Sequence, residues 1–201
     1  MCTENFAHLL RKCYLKHFES PATRMVRWNA QGGTGMILNV DGSSIGNHGV
    51  SGFGGLIRNS DGAWVHIFAG KIGFSNILHA ELSAVYHGLI LAWGLDIKEL
   101  WCYSNSKTVI KLLAEPVNAW TTMHLSSITL KIYLLKIGGL KLFIRTLREG
   151  NACADYLAKL GTRDLKDYSP IITTPPAGMS LLLLAEANGT LFTRYSLRPY
   201  L

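Results

Sequence analysis

The sequence predicts one mixed α/β domain: three antiparallel strands, then parallel ones, five in a single sheet flanked by helices. Three observations carry this. Ser51–Arg58 and Ala63–Lys71 are strand-like runs joined by Asn59-Ser60-Asp61-Gly62, and an Asp-Gly turn between apolar runs favours a hairpin. Next, Leu82, Val85, Leu89, Ile90 and Trp93 recur at helical spacing. Further on, short apolar runs alternate with helical ones, which is the pattern of strand–helix crossovers.

The elements follow in order. Residues 1–35 mix basic and aromatic residues without clean periodicity and end in Gln31-Gly32-Gly33-Thr34-Gly35, so they read as a leader and linker. Met36–Val40 is apolar and strand-length. In 63–71, Trp64, His66 and Phe68 alternate with Val65, Ile67 and Ala69, completing an antiparallel meander. The first helix is expected to stop at Gly94. Leu100–Tyr103 is a short strand. Ser106 can cap a second helix, with Val109, Leu112 and Leu113 on one face and Pro116 past its end. Residues 125–137 read as a third helix with a Leu/Ile face, and Lys141–Leu147 as a strand. Asn151 can cap a last helix, with Ala154, Leu157, Ala158 and Leu160 inward and Gly161 as its stop. Residues 36–163 then form the domain. Residues 164–201, with Pro170, Pro175, Pro176 and Pro199, read as an extended C-terminal tail whose leucine run can lie against it.

Hydrophobic residues make up 48% of the chain and charged ones 16%, enough apolar surface for a real core. The net charge of +7, with a pI near 9.3, favours a polyanionic partner, nucleic acid first. Cys2, Cys13, Cys102 and Cys153 form no Cys-x-x-Cys pair and fit reduced thiols better than a disulfide framework. Met1–Leu10 lacks the basic-then-apolar order of a signal peptide. No uncharged apolar stretch nears the roughly 20 residues that span a bilayer. A soluble intracellular monomer, nuclear or cytoplasmic, is therefore expected, without a membrane partner or a small-molecule cofactor.

Three acids fall at informative places. Asp41 closes a strand, Glu81 is expected in the first turn of the first helix, and Asp155 in the first turn of the last. Asn105 follows the fourth strand. Strand ends and helix N-terminal turns can converge on one sheet edge, and hard divalent cations take oxygen ligands. Alone, each acid reads as a turn residue or a complement to a helix dipole. Their weight lies in the order and spacing of the four segments.

Those segments are Asn39-Val40-Asp41-Gly42-Ser43, Ala80-Glu81-Leu82, Ser104-Asn105-Ser106-Lys107 and Arg148-Glu149-Gly150-Asn151-Ala152-Cys153-Ala154-Asp155, and a fifth matching stretch is Gly54-Gly55-Leu56-Ile57-Arg58. With them, residues about 37–161 resemble the ribonuclease H family, in particular the plant-type, retrotransposon-derived domain. The resemblance implies a ribonuclease H-like fold, two Mg²⁺ (or Mn²⁺) ions held by four carboxylates, and cleavage of the RNA strand of RNA–DNA hybrids. Carried over by position, Asp41, Glu81 and Asp155 would be three of those catalytic, metal-binding carboxylates. Asn105 stands where the family has Asp: its carbonyl oxygen can coordinate, but it brings no charge. Arg145 stands where many members have a His, and it cannot exchange protons near neutral pH.

Two readings follow. One is a Mg²⁺-dependent endonuclease acting on RNA–DNA hybrids, with a two-ion site and activity weakened or lost through Asn105. The other is a catalytically inactive nucleic-acid or protein binding module derived from a mobile element. Gly42, Ser43, Lys107 and Arg145 are the candidate nucleic-acid contacts.

Overall fold

The computed structural model describes residues 22–28, 35–114, 140–163, 172 and 174–196. Its elements are β1 (Ala22–Val26), β2 (Met36–Ile45), β3 (Gly49–Arg58), β4 (Trp64–Ser75), α1 (Ile77–Gly94), β5 (Leu100–Ser104), α2 (Lys107–Ala114), β6 (Leu140–Arg145), α3 (Ala152–Arg163), α4 (Ser180–Ala187) and β7 (Phe192–Ser196). Single 3₁₀ turns at Arg148–Gly150 and Ala177–Met179 precede α3 and α4.

Five strands make one sheet in the order β4-β3-β2-β5-β6. The β2–β3 and β3–β4 pairs are antiparallel, while β2–β5 and β5–β6 are parallel. This is the predicted mixed sheet of a ribonuclease H-like fold, with β2 at its centre. The hairpin signal held: Gly62 takes a left-handed φ of 85°, and the Asn59 side chain accepts from the Asp61 and Ala63 amides. The third helix expected over 125–137 lies outside the described residues. Among the described residues, no helix is long and apolar enough to cross a membrane.

Strand alternation sends side chains to two cores. Leu38, Val40, Phe53, Ile57 and Phe68 pack against Val85 and Leu89 of α1. Leu56, Ile67 and Ala69 pack against Cys153, Ala154 and Leu157 of α3. Gly54 makes the second contact possible, because a Cβ there would lie 2.5 Å from the Leu157 backbone.

Three local expectations need correction. Helix α1 starts one turn earlier than its apolar spacing implied, because Asn76 caps it by accepting from the His79 amide at 2.8 Å. The helix ends at Gly94 as expected, but Gly94 is not the left-handed residue. Asp96 takes the left-handed φ of 54°, and the Asp96 and Ile97 amides bond back to Trp93 and Ala92. The extended tail is in part a helix and a strand. Met179 and Leu183 are buried in the α3-side core, and β7 pairs antiparallel with β1 of the leader, from Ala22↔Ser196 to Val26↔Phe192. Pro175 and Pro176 precede α4, so they leave its hydrogen bonds intact.

Candidate functional site

Asp41 lies within β2, not at its end. The parallel pairing with β5 stops at Val40↔Ser104, but the antiparallel partner β3 carries β2 on to Ile45. Asp41 is therefore the first β2 residue past the end of β5. Asn105 is the first residue past β5 itself. There the Ser104 hydroxyl accepts from the Ser106 amide at 3.1 Å, and Ser106 in turn caps α2 at the Val109 amide at 3.5 Å.

Glu81 falls in the second turn of α1, not the first, as a consequence of the Asn76 cap. Gly42 sets its distance from β2. A Cβ on Gly42 would lie 2.3 Å from the Glu81 backbone nitrogen, so only glycine lets the helix approach this closely. Gly42 is buried against α1, and that packing accounts for the glycine where a nucleic-acid approach had been expected.

Asp155 occupies the first turn of α3. Arg148 Nε lies 3.1 Å from its Oδ1, and Lys159 Nζ lies 2.5 Å from its Oδ2. The Asn151 carboxamide does not cap α3 as expected. Its Oδ1 accepts from Asn39 Nδ2 at 3.1 Å and its Nδ2 donates to the Val40 carbonyl at 2.9 Å. The start of α3 is thus tied to the strand that carries Asp41.

Electrostatics places the three acids in one neighbourhood. Burial, then the charge of Asp155, pushes Asp41 up to about 7, against the opposing pull of Arg148, Asn105 and the Gly42 amide. Burial, then the charge of Asp41, pushes Glu81 up to about 8. Asp41 is 1% exposed and Glu81 8%. Both Asp41 carboxylate oxygens, Glu81 Oε2 and Asn105 Oδ1 are buried without a hydrogen-bond partner.

Those four oxygens are of the type a hard divalent cation takes, and their unmet acceptor capacity fits such an ion at Asp41, Glu81 and Asn105. The third acid is engaged elsewhere, since Arg148 and Lys159 hold Asp155. Among the described residues, no three His, Cys, Asp or Glu side chains group closely enough to hold an ion as they stand.

The other expected contacts sit around the same edge. Ser43 is half-buried two residues past Asp41. Lys107 is exposed at the start of α2, and Arg145 is exposed on β6 opposite Ser104. A pocket of about 370 Å³ lies at the tail, lined by Arg27, Trp28, Ser60, Asp61 and residues 186–189, and Asp41, Glu81 and Asp155 do not line it. Sequence reasoning missed the roles of Arg148 and Lys159. The second was legible, since Lys four residues after Asp on a helix pairs with it.

Comparison with known proteins bears on the family and the fold. A family model described as "Reverse transcriptase-like" matches residues 39–161. An Arabidopsis thaliana protein provisionally named a ribonuclease H protein is 29% identical over 161 residues, 79% of this chain. The match spans about a quarter (26%) of that relative's length. RNase H1 from Halobacterium salinarum superposes with a TM-score of 0.55 at 23% identity, over 65% of this chain and 98% of its own. LC11-RNase H1, solved in complex with an RNA/DNA hybrid, gives a TM-score of 0.53 at 23% identity, over 63% and 96%. The foamy viral protease-reverse transcriptase, also solved with an RNA/DNA hybrid, gives 0.56 at 18%, over 66% and 20%.

Proposed function

The chain belongs to the reverse transcriptase-like family of ribonuclease H-like domains, and from that premise we propose that it binds RNA–DNA hybrids along the Asp41–Asn105 edge and cleaves their RNA strand only weakly. The observation that carries this reading is the set of unpartnered buried oxygens on Asp41, Glu81 and Asn105, an acceptor site whose fourth position is an amide. A divalent cation such as Mg²⁺ bound there would acidify a water and stabilise the leaving oxygen. Asp41, Glu81 and the Asn105 carbonyl would hold it, with Asp155 joining when its ion pairs open. One negative charge fewer weakens that hold.

The chain's own residues would do the rest. Lys107 and Arg145, exposed on either side of the β5 end, would neutralise phosphates, a sequence-independent and salt-sensitive contact. Ser43 stands within reach of the same edge and would meet the sugar–phosphate backbone. Hybrid shape and the RNA 2′-hydroxyls would give selectivity without base reading. The +7 net charge and the hybrids bound by two of the structural neighbours support this partner.

The test is Asn105→Asp, assayed for hybrid cleavage with Mg²⁺ and with Mn²⁺. The variant is expected to gain on the order of a hundredfold or more, as an acid restores charge at the metal site. Wild-type cleavage at ordinary enzyme rates would contradict the weakened site. Salt-dependent hybrid binding, with no cleavage by either form, would favour the inactive binding module.

A further inference from the structure

Two segments outside the matched stretch 39–161 reach into its interior. From the tail, Glu186 on α4 is 1% exposed; its Oε1 accepts from the Cys153 amide in the first turn of α3 at 3.0 Å, and its Oε2 pairs with the equally buried Arg58. From the leader, Trp28 lies over Arg58, with the guanidinium carbon 4.9 Å from the ring centroid, and Trp28 Nε1 donates to Asn39 Oδ1 at 3.4 Å. Arg58 also donates to the Gly62 carbonyl at 3.1 Å. The circuit closes on Asn39, which bonds to Asn151 at the head of α3.

We propose that Glu186 is a positioning residue for the acid edge: its carboxylate, delivered by the tail, caps α3 and fixes where Asp155 stands relative to Asp41. The first-turn amides of a helix need acceptors, normally supplied by the residue just before it. That residue is Asn151, and its carboxamide is committed to Asn39 and the Val40 carbonyl. Glu186 supplies the missing acceptor from 33 residues away, two positions before Asp155. Asn151 thus ties α3 to the Asp41 strand, and Glu186 tethers its first turn from the opposite segment. Stability alone does not call for a carboxylate here, because an apolar pair of similar volume can replace a buried ion pair without loss. A directional acceptor at the Cys153 amide is what such a pair would lack.

Two double variants of the full chain separate the cap from the charge pair: Arg58→Met with Glu186→Gln, and Arg58→Met with Glu186→Leu. Both remove the ion pair, and only the first keeps an acceptor for the Cys153 amide. Amide exchange at Cys153 and Asp155, Mn²⁺ affinity by electron paramagnetic resonance and the urea midpoint are compared. The Gln variant is expected to keep Cys153 protection and Mn²⁺ affinity within about twofold of wild type. In the Leu variant the Cys153 amide exchanges about tenfold faster, the usual scale of a lost cap, and Mn²⁺ binds several-fold more weakly, at a urea midpoint near that of the Gln variant. Equal exchange and equal affinity in the two variants would overturn the proposal. The Mn²⁺ readout rests on the metal reading of the acids, whereas amide exchange does not. Wild type that takes no Mn²⁺ would sink that reading and leave the cap to be decided by exchange alone.

Discussion

Two buried charged regions lie on either side of α3, and they treat their polar atoms in opposite ways. At the tail, Arg58 and Glu186 are each about 1% exposed, and both Glu186 oxygens have partners, as do two of the three Arg58 nitrogens. At the acid edge, Asp41 and Glu81 are comparably buried, yet three of their four oxygens have no partner. Burying a charge is tolerable when other groups of the protein meet it and costly when they do not. The first region is closed within the protein and holds segments together. The second leaves its acceptor capacity unmet by the protein.

The sharpest way to break this contrast is a single substitution in the closed region. Arg58→Ala strands the Glu186 charge in the interior and is expected to cost about 3–5 kcal/mol in urea unfolding. A cost below about 1 kcal/mol would show that the two regions do not differ in this way.

In the open region the sign reverses. Burial and neighbouring charge raise both Asp41 and Glu81, so the folded protein retains protons that the unfolded chain releases near pH 4. Stability from these groups is greatest below about pH 4, falls as pH rises, and levels off above about 8. Asp41→Asn removes one such charge and is expected to stabilise the protein at pH 8 by about 1–2 kcal/mol, with little effect at pH 4. Destabilisation at pH 8 would mean that the Asp41 charge is already satisfied.

A cation should recover part of that loss. Mg²⁺ at about ten times its dissociation constant is expected to raise the melting temperature by about 2–4 °C at pH 8. At pH 5, where both acids hold protons, the shift should be smaller. Equal shifts at the two pH values would argue for binding elsewhere. The mildest probe is Trp28→Phe, which keeps an aromatic ring over Arg58 and removes the donor to Asn39. It is expected to cost about 0.5–1 kcal/mol by thermal unfolding.

Most of the central sheet was legible, because its signals are local. The Asp61-Gly62 turn, the alternation along β4 and the apolar spacing of α1 each state their element within a dozen residues. The positions of Asn105 and Asp155 followed from a strand end and a helix start, whereas Asp41 lies inside β2 and not at its end. Glu81 was placed one turn too early because Asn76, the residue that starts α1, was not read as a cap. The closed region was not legible at all. Arg58 and Glu186 are 128 residues apart, and no periodicity links a strand arginine to a tail carboxylate. The leader read as a linker and the tail as extended for the same reason. Strands β1 and β7 exist by pairing with each other across the length of the chain, and neither has an apolar pattern of its own to announce it.

That pairing has a consequence for how the unit relates to neighbouring sequence. Ala22 and Ser196 face each other in the β1–β7 ladder, so the stretch 22–196 begins and ends at one spot. A unit with such a doorway can be spliced into the surface loop of a host protein without prying the host's own loop ends apart. Joining residue 196 to residue 22 and opening the stretch elsewhere would need a linker of only a few residues.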